Sequence, residues 1–141
     1  MKRALLAAAL VSGLAALAAP AGAQSTKFVY FRMPSKNIAC AYTTGFGSPF
    51  LRCDIYSGLK PKPSGRCREG DWAAVTMTRT SKARPICISD SVYNNKAPVL
   101  NYGKTWRYGG FKCTSRTTGL TCSSITSGHG FFLSRQRYSV H

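Results

Sequence analysis

The sequence predicts an all-β fold, a small disulfide-stapled antiparallel sandwich or barrel. Glycine or proline recurs about every ten residues, and no segment keeps a helical period for three turns. Between these turn residues, short stretches alternate apolar and polar side chains, which is typical of strands. Six cysteines in a short chain can form disulfides, which would stabilise a domain with a modest core.

The first 23 residues have the pattern of a secretory signal peptide. Lys2 and Arg3 form a positive start, residues 4–17 are mostly apolar, and 21–23 (Ala-Gly-Ala) is a small-x-small cleavage site. We expect a single domain over residues 24–141 that is exported, either to the periplasm or as a secreted protein. The apolar run is short for a bilayer span, so no transmembrane segment is expected in the mature chain.

The first strands should form a hairpin. Residues 27–32 are a first strand that ends before a Pro-Ser turn pair. Residues 37–43 alternate, and a glycine-rich loop at 45–49 leads into a returning strand at 51–55 with the same alternation. In such a pair, residues that face each other across the hairpin have neighbouring Cβ atoms.

The middle of the chain mixes strands with loops. Residues 57–65 hold two prolines and two glycines and should form a surface loop, because proline cannot donate to a central ladder. Residues 72–79 alternate as a strand, 81–85 turn, and 86–88 form a short strand. Residues 90–98 are predicted to be irregular.

The last third predicts a second hairpin and a final strand. Residues 99–111 read as two strand pieces around a glycine, and 115–119 form the turn between strands at 111–113 and 120–122. A final strand covers 131–140, and one of its faces carries two apolar residues followed by two cations, Phe131, Leu133, Arg135 and Arg137.

All six cysteines lie in the predicted mature chain. Six cysteines allow 15 pairings, among which sequence alone does not choose. The two hairpins favour a sequential scheme and leave the middle pair by elimination: Cys40–Cys53, Cys67–Cys87 and Cys113–Cys122. No two cysteines are two to four residues apart, which argues against structural zinc. We expect neither a metal nor a cofactor.

The charge of the chain is strongly positive. The sequence has 20 Lys and Arg against 4 Asp and Glu, and loss of the signal peptide would leave 18 against 4. Such an excess attracts anions. For an exported protein the candidates are an anionic envelope polymer, a lipid surface, or nucleic acid bound without sequence specificity. The alternative is general solubility, because the cations are scattered rather than blocked.

Basic and aromatic residues alternate near residues 104–112, a pattern that can stack on bases or sugars and hold phosphates. The alternative is that these aromatic residues are core. His129 lies between two glycines, where it is either a ligand-facing imidazole or a loop histidine in a turn; no nucleophile or acid accompanies it. The candidate binding residues are Lys104, Trp106, Arg107, Tyr108, Lys112, His129, Arg135 and Arg137, with no catalytic residue predicted.

Several strings together point to a known family: FRMPSKNIAC (31–40), LRCDI (51–55), VLNYG (99–103), FKC (111–113), GLTC (119–122) and GHGFFLSR (128–135). Over about residues 31–140 the chain resembles a group of small secreted six-cysteine bacterial proteins catalogued only as a domain of unknown function. The resemblance implies export, one disulfide-rich domain and use of all six cysteines. The family has no established activity, so it implies no functional residues.

These observations predict an exported, monomeric basic β domain that binds an anionic envelope or extracellular component and is not an enzyme. One alternative is a secreted hydrolase, of which a nuclease using His129 fits best, since only four acids are present for paired-carboxylate chemistry. The other is an inhibitor of a secreted enzyme. Its target would have to be acidic, because a basic target would be repelled.

Overall fold

The computed structural model describes Gly22 and residues 25–141, and the predicted signal peptide lies outside the described residues except for Gly22. Ten strands form two antiparallel sheets of five, each in sequence order. The N-terminal sheet contains β1 (Lys27–Arg32), β2 (Ile38–Thr44), β3 (Phe50–Ile55), β4 (Asp71–Thr78) and β5 (Arg84–Ile88). The C-terminal sheet contains β6 (Thr105–Tyr108), β7 (Phe111–Arg116), β8 (Gly119–Ser124), β9 (Gly130–Leu133) and β10 (Tyr138–Val140).

The core lies between the inner faces of the two sheets. Phe31 and Leu51 from the N-terminal sheet and Phe111 and Phe131 from the C-terminal sheet are fully buried in one cluster. The ring of Phe31 lies 4.8 Å from that of Trp106, centroid to centroid, and so joins the two layers. The all-β prediction is confirmed, and of its two architectures the sandwich is the one observed.

The three disulfides pair the cysteines as predicted. Cys40–Cys53 and Cys113–Cys122 each join residues directly opposite in a hairpin, with Cα atoms 4.1 Å apart. Cys67–Cys87 ties the loop before β4 to β5. Disulfides persist in oxidising compartments, so the protein belongs to a non-cytoplasmic, oxidising location.

The single strand predicted at 131–140 is wrong, because the segment folds as the hairpin β9–β10. The Ser134 hydroxyl accepts hydrogen bonds from the backbone N–H groups of Gln136 and Arg137 and donates one to the Arg137 carbonyl. A serine that bonds its own backbone in this way favours a turn over an extended strand. Arg135 therefore lies in a turn and does not continue the face of Phe131 and Leu133.

Two further predictions differ in extent. Of the two strand pieces expected in 99–111, only the second forms a strand, β6, while Val99 makes an isolated parallel bridge to Arg32. The turn predicted at 115–119 is shorter: β7 and β8 pair as far as Arg116 and Gly119, which leaves two residues between the strands. Arg116 is therefore a strand residue with a defined face.

Residues 90–98 are irregular, as predicted, and they cover the outer face of the N-terminal sheet. Ala39 and Ala74 point away from the core, yet they are 2% and 0% exposed. Both are cross-strand neighbours of Asp54, whose carboxylate accepts a hydrogen bond of 2.9 Å from the backbone N–H of Val92. This contact holds the loop against the alanines.

Gly119→Ala is expected to lower the free energy of unfolding by about 2 kcal/mol, because a new Cβ adds overpacking to backbone strain. Gly119 has a φ of +147°, and its Cβ would meet the Leu133 carbonyl oxygen and come within 2.7 Å of Phe132 Cζ. Urea unfolding would measure the loss. Gly47→Ala is the matched control: Gly47 has a φ of +85° but open space around it, so only the conformational cost of about 1 kcal/mol should appear. Equal losses would contradict the steric argument.

Candidate functional site

The outer face of the C-terminal sheet is polar and basic. Side chains alternate along a strand, and Trp106, Cys113 and Cys122 point into the core, so their neighbours point outward. One outward row runs from Arg107 through Lys112 and Ser123. We call this surface the basic face and define it by Thr105, Arg107, Lys112, Thr114, Arg116, Thr121, Ser123 and Phe132.

A shallow depression of about 250 Å³ lies in the middle of the basic face. Its lining combines two cations with three hydroxyl groups, from Lys112, Arg116, Thr114, Thr121 and Ser123. At its border, the Oγ1 atoms of Thr105 and Thr114 are hydrogen-bonded at 3.1 Å. Each hydroxyl retains capacity to donate or accept, so the depression offers neutral polar groups between positive charges.

A further cation reaches the basic face from the β9–β10 turn. The guanidinium carbon of Arg137 lies 4.6 Å from the centroid of the Phe132 ring, within the range of a cation–π contact. The Phe132 ring covers Gly119, which pairs across the hairpin with Arg116. This packing brings Arg137 to the same end of the face as Arg116.

The acidic residues lie elsewhere. All four acids of the sequence fall between residues 54 and 90, whereas residues 91–141 contain seven Lys and Arg and no Asp or Glu. Arg52 pairs with Asp54 and with Asp90, at 2.8 Å each, and Lys62 pairs with Asp71 at 2.9 Å. Within the described part of the chain, these pairs involve no cation of the basic face.

The pKa values reflect this segregation. The hydrogen bond from Arg52 lowers the pKa of Asp90, and the hydrogen bond from Lys62 lowers that of Asp71. These carboxylates are therefore charged at neutral pH and offset part of the positive charge of the N-terminal sheet. The cations of the C-terminal sheet, by contrast, lie in a stretch that contains no Asp or Glu to offset their charge.

The structure brings together some of the predicted binding residues and separates others. Arg107 and Lys112 lie on the basic face, and Arg137 lies at its edge. Trp106 and Tyr108 point the opposite way: Trp106 packs on Phe31, and the Tyr108 ring lies 5.1 Å from that of Tyr42.

The remaining predicted residues lie off the basic face. Lys104 is in the turn before β6, and Arg135 is in the β9–β10 turn beside a second cleft that Tyr102 and Gln136 also line. His129 is half-buried in the loop before β9, where its carbonyl accepts a hydrogen bond from the Ser124 N–H.

Six of the eight residues that define the basic face were not predicted from the sequence: Thr105, Thr114, Arg116, Thr121, Ser123 and Phe132. The signal was present in the alternation around Cys113. If Cys113 points inward to its partner, the residues one before, one after and three after it point outward. Placing the turn at 115–119 removed Arg116 from the strand and hid this row.

The described residues contain neither a metal-binding cluster nor a membrane-spanning helix. No group of three His, Cys, Asp or Glu side chains is placed to hold a metal ion there. In the same part of the chain, we find no helical segment with the length and hydrophobicity of a membrane span.

Fold and surface together define a class: disulfide-bonded β-sandwich domains with one basic sheet face. The chain belongs to the family of unknown function DUF6636, whose sequence profile matches residues 52–141. This confirms the resemblance to a domain of unknown function inferred from the sequence strings. The matched region contains β4–β10 and the last four residues of β3, and so the whole basic face. No curated protein and no solved structure matches the chain.

Proposed function

We propose that the protein is exported after loss of residues 1–23, that residues 24–141 act as one domain, and that the basic face binds an anionic component of the cell envelope or extracellular space. One observation carries the proposal: the cations of the basic face lie in a stretch, residues 91–141, that contains no acid. The three disulfides support export, since they suit an oxidising compartment.

Charge segregation makes the basic face the preferred contact. Arg52 and Lys62 already have carboxylate partners, so an anion that approaches the N-terminal sheet gains less from them. Arg107 and Arg116 are exposed and Lys112 half-buried, with no carboxylate to displace. Contacts of this kind are electrostatic and weaken as salt screens them.

The mature protein is expected to bind dextran sulfate and not neutral dextran. Raising salt from about 50 mM to about 300 mM shortens the Debye length from about 14 Å to about 6 Å, and affinity should fall about ten-fold or more. Isothermal titration calorimetry would measure the affinity for each polymer at both salt concentrations. Absence of binding at low salt, or binding that ignores salt, would contradict the proposal.

Charge reversal locates the contact. Arg107→Glu with Lys112→Glu should reduce affinity for dextran sulfate about ten-fold at low salt, with little change in melting temperature, because neither cation has a carboxylate partner and charges in contact with water affect association more than stability. The matched control is Lys82→Glu with Lys96→Glu, which removes the same net charge at exposed sites off the C-terminal sheet. Equal losses in the two double variants would show that net charge, and not the basic face, decides binding.

A further inference from the structure

The three cations of the basic face and Arg137 at its edge form two groups separated by hydroxyls. Arg107 and Lys112 face each other on β6 and β7 and make one group. Arg116 and Arg137 make the other, at the β7–β8 turn end. Lys112 and Arg116 are four residues apart on one strand, which at about 3.3 Å per residue places their Cα atoms about 13 Å apart.

The space between the two groups suits a neutral polar chain. The hydroxyls of Thr105, Thr114 and Thr121 form the row between the groups, and that of Ser123 lies beside Lys112 at the border of this space. Three of them line the 250 Å³ depression together with Lys112 and Arg116. Each can donate one hydrogen bond and accept others, the same dual capacity that sugar hydroxyls have.

We infer that the basic face binds an anionic saccharide whose two charged groups, phosphate or sulfate, lie at opposite ends of a unit of two sugar rings. One charged group contacts Arg107 and Lys112, and the other contacts Arg116 and Arg137. The sugar rings lie over the hydroxyls in between. This inference rests on the proposed function and names the ligand class of that same face.

The arrangement fits a saccharide better than single-stranded nucleic acid. Proteins that bind single strands combine cations with exposed aromatic rings on which bases stack. Here Trp106 and Tyr108 point into the core, and the half-buried Phe132 ring already has Arg137 over it. A strand of nucleic acid would find charge on the basic face but no open aromatic surface.

It also fits a saccharide better than a lipid surface. Peripheral proteins hold membranes by burying apolar side chains as well as by charge. The exposed large hydrophobic residues of the described chain all lie off the basic face: Phe28, Phe46, Tyr56, Val99, Tyr102, Ile125 and Val140.

The test compares a glucosamine disaccharide phosphorylated at both ends with the same disaccharide phosphorylated at one end. The wild-type protein should bind the bisphosphate about ten-fold or more tightly than the monophosphate, because the second contact is intramolecular once the first has formed. Arg116→Gln should bring the two ligands to within about two-fold, because one group of cations is weakened. Lys82→Gln, the matched control, should keep the full preference.

Three outcomes would overturn the inference: equal affinity of the wild type for both ligands, a preference that survives in Arg116→Gln, or tighter binding of a single-stranded oligonucleotide than of the bisphosphate at equal charge. If any of these outcomes occurs while dextran sulfate still binds in a salt-dependent manner, only the inferred ligand class is wrong and the proposed function stands. If dextran sulfate does not bind either, the proposed function also fails.

Discussion

Replacing both Cys40 and Cys53 with alanine is expected to lower the free energy of unfolding by about 4 kcal/mol. A bridge that closes a loop of this length, with a sequence separation of 13, contributes about 3 kcal/mol through the unfolded state. Both residues are 0% exposed in the core, so loss of the sulfur atoms also leaves unfilled space there. Urea unfolding of the oxidised protein would measure the change.

The Cys67–Cys87 pair is the matched comparison. Its sequence separation is 20, so loop entropy alone predicts a contribution slightly above that of Cys40–Cys53. Cys67 is half-buried and Cys87 exposed, and their replacement removes little packing. We therefore expect the Cys67→Ala, Cys87→Ala variant to lose about 3 kcal/mol and to be the more stable of the two. The reverse order would show that loop length, and not burial, decides.

Much of the sandwich could be predicted because its information is local. The alternation of apolar and polar residues predicted the bounds of β1 and β2 to within one residue. The turn residues between β2 and β3 predicted that β3 runs antiparallel to β2. Two cysteines on facing strands also constrain register, because Cys40 must lie opposite Cys53 for a bridge to form. Strand pairing and disulfide pairing therefore support each other, which is why the connectivity was predictable.

The cover over the N-terminal sheet could not be predicted, because it depends on a contact distant in sequence. Alternation assigns Ala39 and Ala74 to the solvent side, and nothing near them indicates burial. The bond from Val92 N–H to Asp54 joins residues 38 positions apart and brings the 90–98 loop onto them. The same holds for Arg137, which reaches Phe132 only because the chain turns at Ser134.

The basic face could be predicted from the sequence in part. Which strand residues point outward could be inferred from Cys113, whose side chain points into the core toward Cys122. Cys113 is also the cross-strand neighbour of Trp106. The alternation of side chains along a strand then assigns Trp106 to the core side and Lys112 to the solvent side. The sequence did not predict that Arg116 and Arg137 lie at the same end of the basic face. Their proximity depends on the length of the β7–β8 hairpin and on the position of the β9–β10 turn.

Asp54→Asn is expected to lower the free energy of unfolding by about 3 kcal/mol, as breaking a buried ion pair usually does. Asp54 is 5% exposed, and its two oxygens accept hydrogen bonds from Arg52 at 2.8 and 3.1 Å. One of these oxygens also accepts the bond from Val92. The amide has no charge to offset Arg52, whose side chain is only 14% exposed, and its NH₂ group cannot accept a hydrogen bond.

The control is Asp90→Asn, which removes the other carboxylate that contacts Arg52. The Asp90 side chain is 75% exposed, so its ion pair is screened by water and should contribute less than about 1 kcal/mol. Urea unfolding would compare the two variants, and hydrogen exchange at the Val92 amide would report on the loop. We expect faster exchange at Val92 in Asp54→Asn than in Asp90→Asn, because only the first leaves a single side-chain oxygen for the N–H groups of Arg52 and Val92. Equal stability and equal exchange in both variants would mean that packing alone, without Asp54, keeps residues 90–98 in place.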